Sequence, residues 1–168
     1  CVSIGVMVRG RIEHGVIYDP LRDELFTASR GAGAQLNDRR LRVTKQKTLA
    51  GSLISTGFPF KYHEHFPAYL ATFNAVFPEV SDLRRGGSAA LDLAYVAAGR
   101  VDAYWELGLQ KWDLAAGVLL IEEAGGVVSD FTGGENHIEH GNLVAGNFNI
   151  HQQLLNQIKP HLSEALKK

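Results

Sequence analysis

The sequence predicts an α/β fold built in layers, and three observations carry that expectation. The first thirty residues alternate apolar and polar positions between turn-forming clusters, the pattern of an antiparallel meander. From about Leu49 short apolar strands alternate with helical segments, which sets helices against a mixed sheet. The chain has 168 residues of which 45% are hydrophobic, enough to bury a real core. The change of period divides it near residue 50, into a 1–50 meander portion and a 51–168 α/β portion.

Each element follows from its residues. Val2, Ile4, Val6 and Val8 alternate along a first strand, Arg9-Gly10-Arg11 is a tight turn, and 12–18 returns. Asp19-Pro20-Leu21-Arg22-Asp23 is a second turn, with Pro preset for a turn position. Residues 24–28 form a third strand, Gly31-Ala32-Gly33-Ala34 reads as a loop, and 41–43 as a short extended piece. Residues 52–57 are a short buried strand. Phe66, Tyr69, Leu70, Phe73, Val76 and Phe77 recur at helical spacing and are expected in the core. His63 and His65 nearby have no carboxylate spaced to make a metal site with them. Residues 82–84 are a strand, Ser88 caps a helix through Ala98 that Gly99 ends, and 101–106 is a strand. Residues 127–130 and 143–146 are strands. An amphipathic helix over 148–167 closes the chain, with Pro160 placed to kink it.

The chain is organised around residues 111–126. Asp113 heads a run of good helix formers that is apolar on nearly all sides, so the helix is expected to be buried, and Gly125-Gly126 stops it. A carboxylate there suits an N-cap, because it accepts from free N–H groups of the first turn. An Asp before an apolar helix is, taken alone, more often such a cap than a site.

Charge excludes little and favours little. Lys plus Arg number 17 and Asp plus Glu 18, a net charge of −1. That balance offers no electrostatic case for nucleic acid or a membrane. The single Cys excludes an intrachain disulfide and suits the reducing cytoplasm. No apolar run approaches the ~20 residues of a membrane span.

Three stretches read together shift the weighting at Asp113: Gly86-Gly87-Ser88-Ala89-Ala90-Leu91-Asp92, then Asp102-Ala103-Tyr104-Trp105-Glu106-Leu107-Gly108, then Trp112-Asp113 with the helix up to Gly126. In order and spacing they resemble the C-terminal signature of the inositol monophosphatase family, most closely its bacterial members. The likeness extends over essentially the whole chain. It implies a layered αβαβα sugar-phosphatase fold, of which this chain carries part of the first sheet and the C-terminal mixed-sheet layer. It also implies a Mg²⁺-dependent hydrolase of a phosphate monoester on a small polyol, inositol monophosphate first.

Residue by residue, the resemblance makes Asp113 a metal ligand and Glu106 the acceptor for a ring hydroxyl. It brings the backbone at Gly87, Ser88 and Ala89 to another hydroxyl. Hard carboxylate oxygens are what Mg²⁺ requires. The family's Asp-Pro-x-Asp-Gly-Thr motif is not matched by Asp19-Pro20-Leu21-Arg22-Asp23, so neither Asp19 nor Asp23 is assigned to metal. The chain opens inside a strand without a lead-in and lacks the family's other acidic elements. It therefore reads as the C-terminal portion of a longer enzyme, inactive by itself. A homodimer is implied, with residues 58–73, Arg84 and Arg85 the stretch expected at its contact. Two alternatives stand beside the leading one: a phosphatase of another small sugar or nucleotide phosphate, and a non-catalytic partner of the bacterial transcription antitermination machinery.

Overall fold

The computed structural model describes residues 1–167. The meander is larger than expected. Strands β1 (Val2–Val8), β2 (Arg11–Asp19), β3 (Glu24–Ser29), β4 (Gly33–Leu36) and β5 (Arg39–Arg40) form one antiparallel sheet in sequence order. The segment read as a loop at 31–34 runs into β4, and the extended piece expected at 41–43 lies just beyond β5 as irregular backbone. The signal for this last hairpin is Asn37-Asp38. Both residues sit at positive φ, as a two-residue hairpin turn with strand-matching twist requires.

The second sheet is mixed. Its order is β7 (Asp82–Arg84), β6 (Leu53–Thr56), β8 (Ala103–Glu106), β10 (Leu143–Gly146), β9 (Val127–Ser129). β6 is parallel to β7 and β8, while β10 is antiparallel to β8 and β9. Helices α2 (Ala89–Ala97) and α3 (Lys111–Glu123) lie between the two sheets. Helices α1 (Phe66–Val76) and α5 (Phe148–Ile158) cover the far face of the mixed sheet, and a single turn of helix, α4 (His137–His140), precedes β10.

α3 is buried nearly all round, as its sequence required: Leu114, Ala116, Leu119, Leu120 and Ile121 are inaccessible. It reaches the meander closely because β2 offers no side chain at the crossing. A Cβ on Gly15 would stand 2.9 Å from the backbone of Ala116, closer than packed atoms allow. The C-terminal turn of α3 is tied to the β3–β4 turn, since Glu123 accepts from the N–H groups of Gly31 and Gly33, both at 2.7 Å. One apolar cluster therefore joins Ile17 and Phe26 of the meander to Leu93, Tyr104 and Leu119 beyond residue 50.

Two helices depart from their patterns. On α1 only Tyr69, Thr72 and Val76 are buried, and Phe66, Leu70 and the following Phe77 face solvent. The helix rests on the sheet by a narrow i, i+3, i+7 stripe with Phe73 half-buried beside it, so Phe66 and the following Phe77 are left on the outer side. α5 stops at Ile158, and the chain continues in 3₁₀ turns around Pro160, which cannot donate the next helical bond. No helix among the described residues is long and apolar enough to cross a membrane.

Candidate active site

α2 and α3 begin at the same end of the molecule, and between their N-termini opens a cleft of about 500 Å³. Gly87, Ser88 and Ala89 line it at the start of α2, Asp113 at the start of α3, and Glu106 at the end of β8. The five residues named from the sequence thus share one cavity. Two helix N-termini aimed into one cleft supply N–H donors and positive potential, the environment a phosphate favours. Arg85 and Lys61 on the wall add cationic charge.

The local geometry explains each position. Ser88 has extended backbone and its Oγ accepts from the N–H of Leu91 at 3.5 Å, the capping role expected of it. Asp113 is not the N-cap of α3. Gln110 holds that place, and Asp113, at the third helical position, reaches back so that its Oδ2 accepts the Gln110 N–H at 3.0 Å. The correction is one of register: the helix starts at Lys111, three residues before the apolar run opens at Leu114, because Lys111 and Trp112 are helical yet exposed.

Glu106 is the most perturbed carboxylate at the site. Its pKa is pushed up to about 7, chiefly by burial, with the nearby Asp92 and Asp113 charges adding to the rise and the Tyr104 hydroxyl and Arg85 opposing it. Tyr104, wholly buried beneath it, donates its hydroxyl to Oε2 of Glu106. Gly57 makes the room, because a methyl there would overlap the Glu106 carboxylate. Asp92 lies deeper, at 4% exposure, with its pKa raised to about 6, again mainly by burial, against the Ser55 hydroxyl and Arg85. The Arg85 guanidinium packs over the rings of Phe58 and Phe60, 5.4 and 5.0 Å from their centroids. Arg84 pairs instead with Asp82.

Gly57, Tyr104, Asp92 and Arg85 were not marked by sequence reasoning as part of the site. Asp92 and Tyr104 stand inside the quoted motifs, but nothing local says that they reach Glu106. Gly57 is 49 positions from the carboxylate that it accommodates, a relation only the β6–β8 pairing creates.

The acids outside the cleft are occupied elsewhere. Asp19 accepts from Leu21 N–H and pairs with Arg22, which holds its carboxyl below the usual range. Asp130 accepts from Thr132, Gly134 and Asn136 and organises its own loop. Tested against Mg²⁺, Asp113 fits as a single hard oxygen donor at the mouth of the cleft, but the set is incomplete. No group of three or more His, Cys, Asp or Glu able to hold a metal occurs among the described residues. One carboxylate alone does not build a Mg²⁺ site, which takes several oxygen ligands.

Fold and cleft define a layered α/β protein with a polar cleft, and comparison with known proteins makes the class specific: the profile of the inositol monophosphatase family matches residues 1–166, and the chain belongs to that family. Among its relatives is the protein named Nus factor SuhB of Escherichia coli strain K12, 54% identical over 167 residues. That match covers 99% of this chain and 62% of the relative. Among solved structures, the extragenic suppressor protein suhB from Bartonella henselae superposes with a TM-score of 0.91 at 48% identity, covering 95% of this chain and 61% of that one. An inositol monophosphatase from Anabaena (Nostoc) sp. PCC 7120 does so with a TM-score of 0.88 at 42% identity, covering 94% and 65%. The chain thus spans less than two thirds of the length of the relatives that it matches.

Proposed function

We propose that the protein to which this chain belongs is a Mg²⁺-dependent phosphate monoester hydrolase acting on inositol monophosphate. The observation that carries the reading is the cleft itself. Helix N-termini with Arg85 and Lys61 suit the phosphate, and a half-buried acceptor, Glu106, suits a polyol hydroxyl. In this reading Glu106 is held against Tyr104 and over Gly57, and accepts from one ring hydroxyl. The backbone at Gly87, Ser88 and Ala89 meets another hydroxyl and orients the ester. Asp113 contributes one carboxylate to Mg²⁺, and the remaining ligands come from outside the described residues. The family match and the name inositol monophosphatase on a structural neighbour support the substrate class.

The test is Glu106→Gln in the full-length protein, with hydrolysis of inositol monophosphate compared with that of an aryl phosphate. Gln keeps an acceptor oxygen but loses the charge, so up to the full value of a hydrogen bond to a charged acceptor, about 1.5–3 kcal/mol, is forfeited; kcat/KM for the inositol ester falls up to about 150-fold and the aryl ester stays within a few-fold. Equal losses on both substrates would reject Glu106 as a hydroxyl acceptor.

A second reading rests on a different observation. Relatives at 54% identity carry the name Nus factor, which supports partnership with the transcription antitermination machinery, a role that needs no turnover. Binding of the full-length Asp113→Asn variant to that machinery separates the two. Binding that survives complete loss of hydrolysis supports the second reading, and binding that disappears with it counts against.

A further inference from the structure

A net charge of −1 averages over an uneven surface. Residues 39–47 read Arg-Arg-Leu-Arg-Val-Thr-Lys-Gln-Lys and contain no acid. Arg39, Arg40, Arg42, Lys45 and Lys47 are all exposed, and none pairs with a carboxylate within salt-bridge distance among the described residues. Asp38 adjoins the run in sequence, and Glu123, bound to the Gly33 N–H, stands on the side where Arg40 lies against Gly33. The remaining cations face water.

The strip is fixed in place, not loose. It carries the chain from the edge of the meander to the mixed sheet. Leu41 N–H donates to Ala34 at 2.8 Å and Val43 N–H to Ala124 at 3.2 Å. Asn147 donates to Thr44 and to the Gln46 carbonyl, both at 3.1 Å, and Gln153 donates to the Lys47 carbonyl at 2.8 Å. Leu41 and Leu49 are buried and Val43 is half-buried, so the apolar residues point in and the cations out. Nine residues reach at most about 30 Å, a length that can follow several consecutive phosphates.

We infer that residues 39–47 form a docking strip for the phosphodiester backbone of a nucleic acid, bound without base specificity. The chemistry separates this partner from others. A membrane surface calls for an apolar side chain to insert beside the cations, and here the apolar residues are turned inward. A specific protein interface calls for buried aromatic or aliphatic anchors. The strip has no aromatic residue, and neither the active-site cleft nor the smaller pocket beside it includes any of the five cations. A phosphate backbone needs cations and little else. With no aromatic platform for stacking, bases go unread. The inference does not depend on the phosphatase reading.

The experiment is fluorescence anisotropy with the full-length protein and labelled 20-mers: single-stranded RNA, single-stranded DNA and a duplex of each, from 50 to 200 mM salt. Five contacts on a single strand give a log–log salt slope near −3.5, so affinity falls about 100-fold over that range. Replacing all five cations by Gln removes binding and flattens the slope. Replacing the three arginines by Lys keeps the slope. The preferred 20-mer identifies which nucleic acid supplies the backbone. Thermal melting checks each variant's fold, which exposed substitutions should leave intact. Absence of binding at 50 mM salt overturns the proposal, as does binding that the Gln variant retains. A polyglutamate chain bound as tightly as RNA overturns it too, because the partner would then be an acidic protein surface.

Discussion

The mixed sheet is packed on both faces, and the meander on one. Trp105, Ile54 and Val144 of the mixed sheet meet α1 and α5 on one side, while Tyr104, Leu143 and Ala145 meet the central helices on the other. In the meander Ile17, Phe26 and Ala34 are buried against α3, but Val2, Ile4 and Val8 on β1 remain about half exposed, at 50, 52 and 50%. The difference bears on function. All five residues named from the sequence stand where the closed layers fix them: four at the N-termini of the helices held between the two sheets, and Glu106 at the end of β8. A site gains precision from such support; the meander reaches the rim of the cleft only through Cys1 and Ser3, and Ser3 sits on the packed face, its hydroxyl donating to the Trp112 carbonyl of α3 at 3.0 Å.

The sharpest test separates chemistry from support. Asp113→Asn in the full-length protein keeps an acceptor for the Gln110 N–H and loses the charge. Hydrolysis of inositol monophosphate is expected to fall about 10²–10⁴-fold, in the range of losing a group that acts on the transition state, while Tm moves little. Full activity at saturating Mg²⁺ would remove Asp113 from the metal site.

Next in size is the cost of breaking the closed layers. Leu119 is inaccessible within α3. Leu119→Ala should cost about 2–5 kcal/mol, lowering Tm by roughly 5–15 °C. Denaturant titration measures it. A loss under about 1 kcal/mol would mean that the central helix is looser than its burial indicates.

The sequence made the closed layers more legible than the site. α2, its Ser88 cap, its Gly99 stop, and the buried character of α3 followed from propensity and punctuation, because those signals are local. β4 was hidden since Gly31-Ala32-Gly33-Ala34 resembles a loop, and only the φ>0 pair Asn37-Asp38 marks the hairpin. Glu106, Asp113 and Gly87–Ala89 could be singled out only by resemblance to a family motif. Their convergence, and the part played by Gly57, Asp92 and Arg85, depend on pairings between distant strands and on burial, which no window of sequence displays.

Glu106 makes the mixed-sheet side of the molecule sensitive to pH. Its folded pKa of about 7 stands above the ordinary carboxylate value of 4.5, so the folded state holds the proton more tightly than the unfolded chain. This group's contribution to stability is greatest below about pH 4.5, falls as pH rises, and levels off above about pH 7. The ionised form is the stronger acceptor of a hydroxyl hydrogen bond, so turnover of the inositol ester should climb through the upper part of that window. Glu106→Gln should flatten both trends and raise Tm at pH 8 relative to wild type more than at pH 4.5. A wild-type Tm that rises between pH 5 and 7 by the same amount in both proteins would show that other groups govern the profile.

The smallest effect belongs to the open face. Ile4 pairs with Val16 across β1 and β2, on the side away from α3, and is half exposed. Ile4→Ser in the 168-residue chain removes a side chain that already meets water, so the cost is limited to lost β propensity and cross-strand contact, about 0.5–1 kcal/mol. An open apolar sheet face beside an edge strand also invites association between copies. The same substitution should therefore lower light scattering at micromolar concentration while Tm falls by only a few degrees. Ile17→Ser, one strand over on the buried face, supplies the contrast: it places an unpaired hydroxyl in the core and leaves a cavity, and should prevent folding or cost several kcal/mol. If the two substitutions cost the same, the meander's faces are not differently packed. A cost near 3 kcal/mol for Ile4→Ser would mean that the outer face is covered in solution, by a second copy of the chain or by another segment. Repeating the melt over a tenfold range of concentration tells these apart, since only association with a second copy makes Tm depend on concentration.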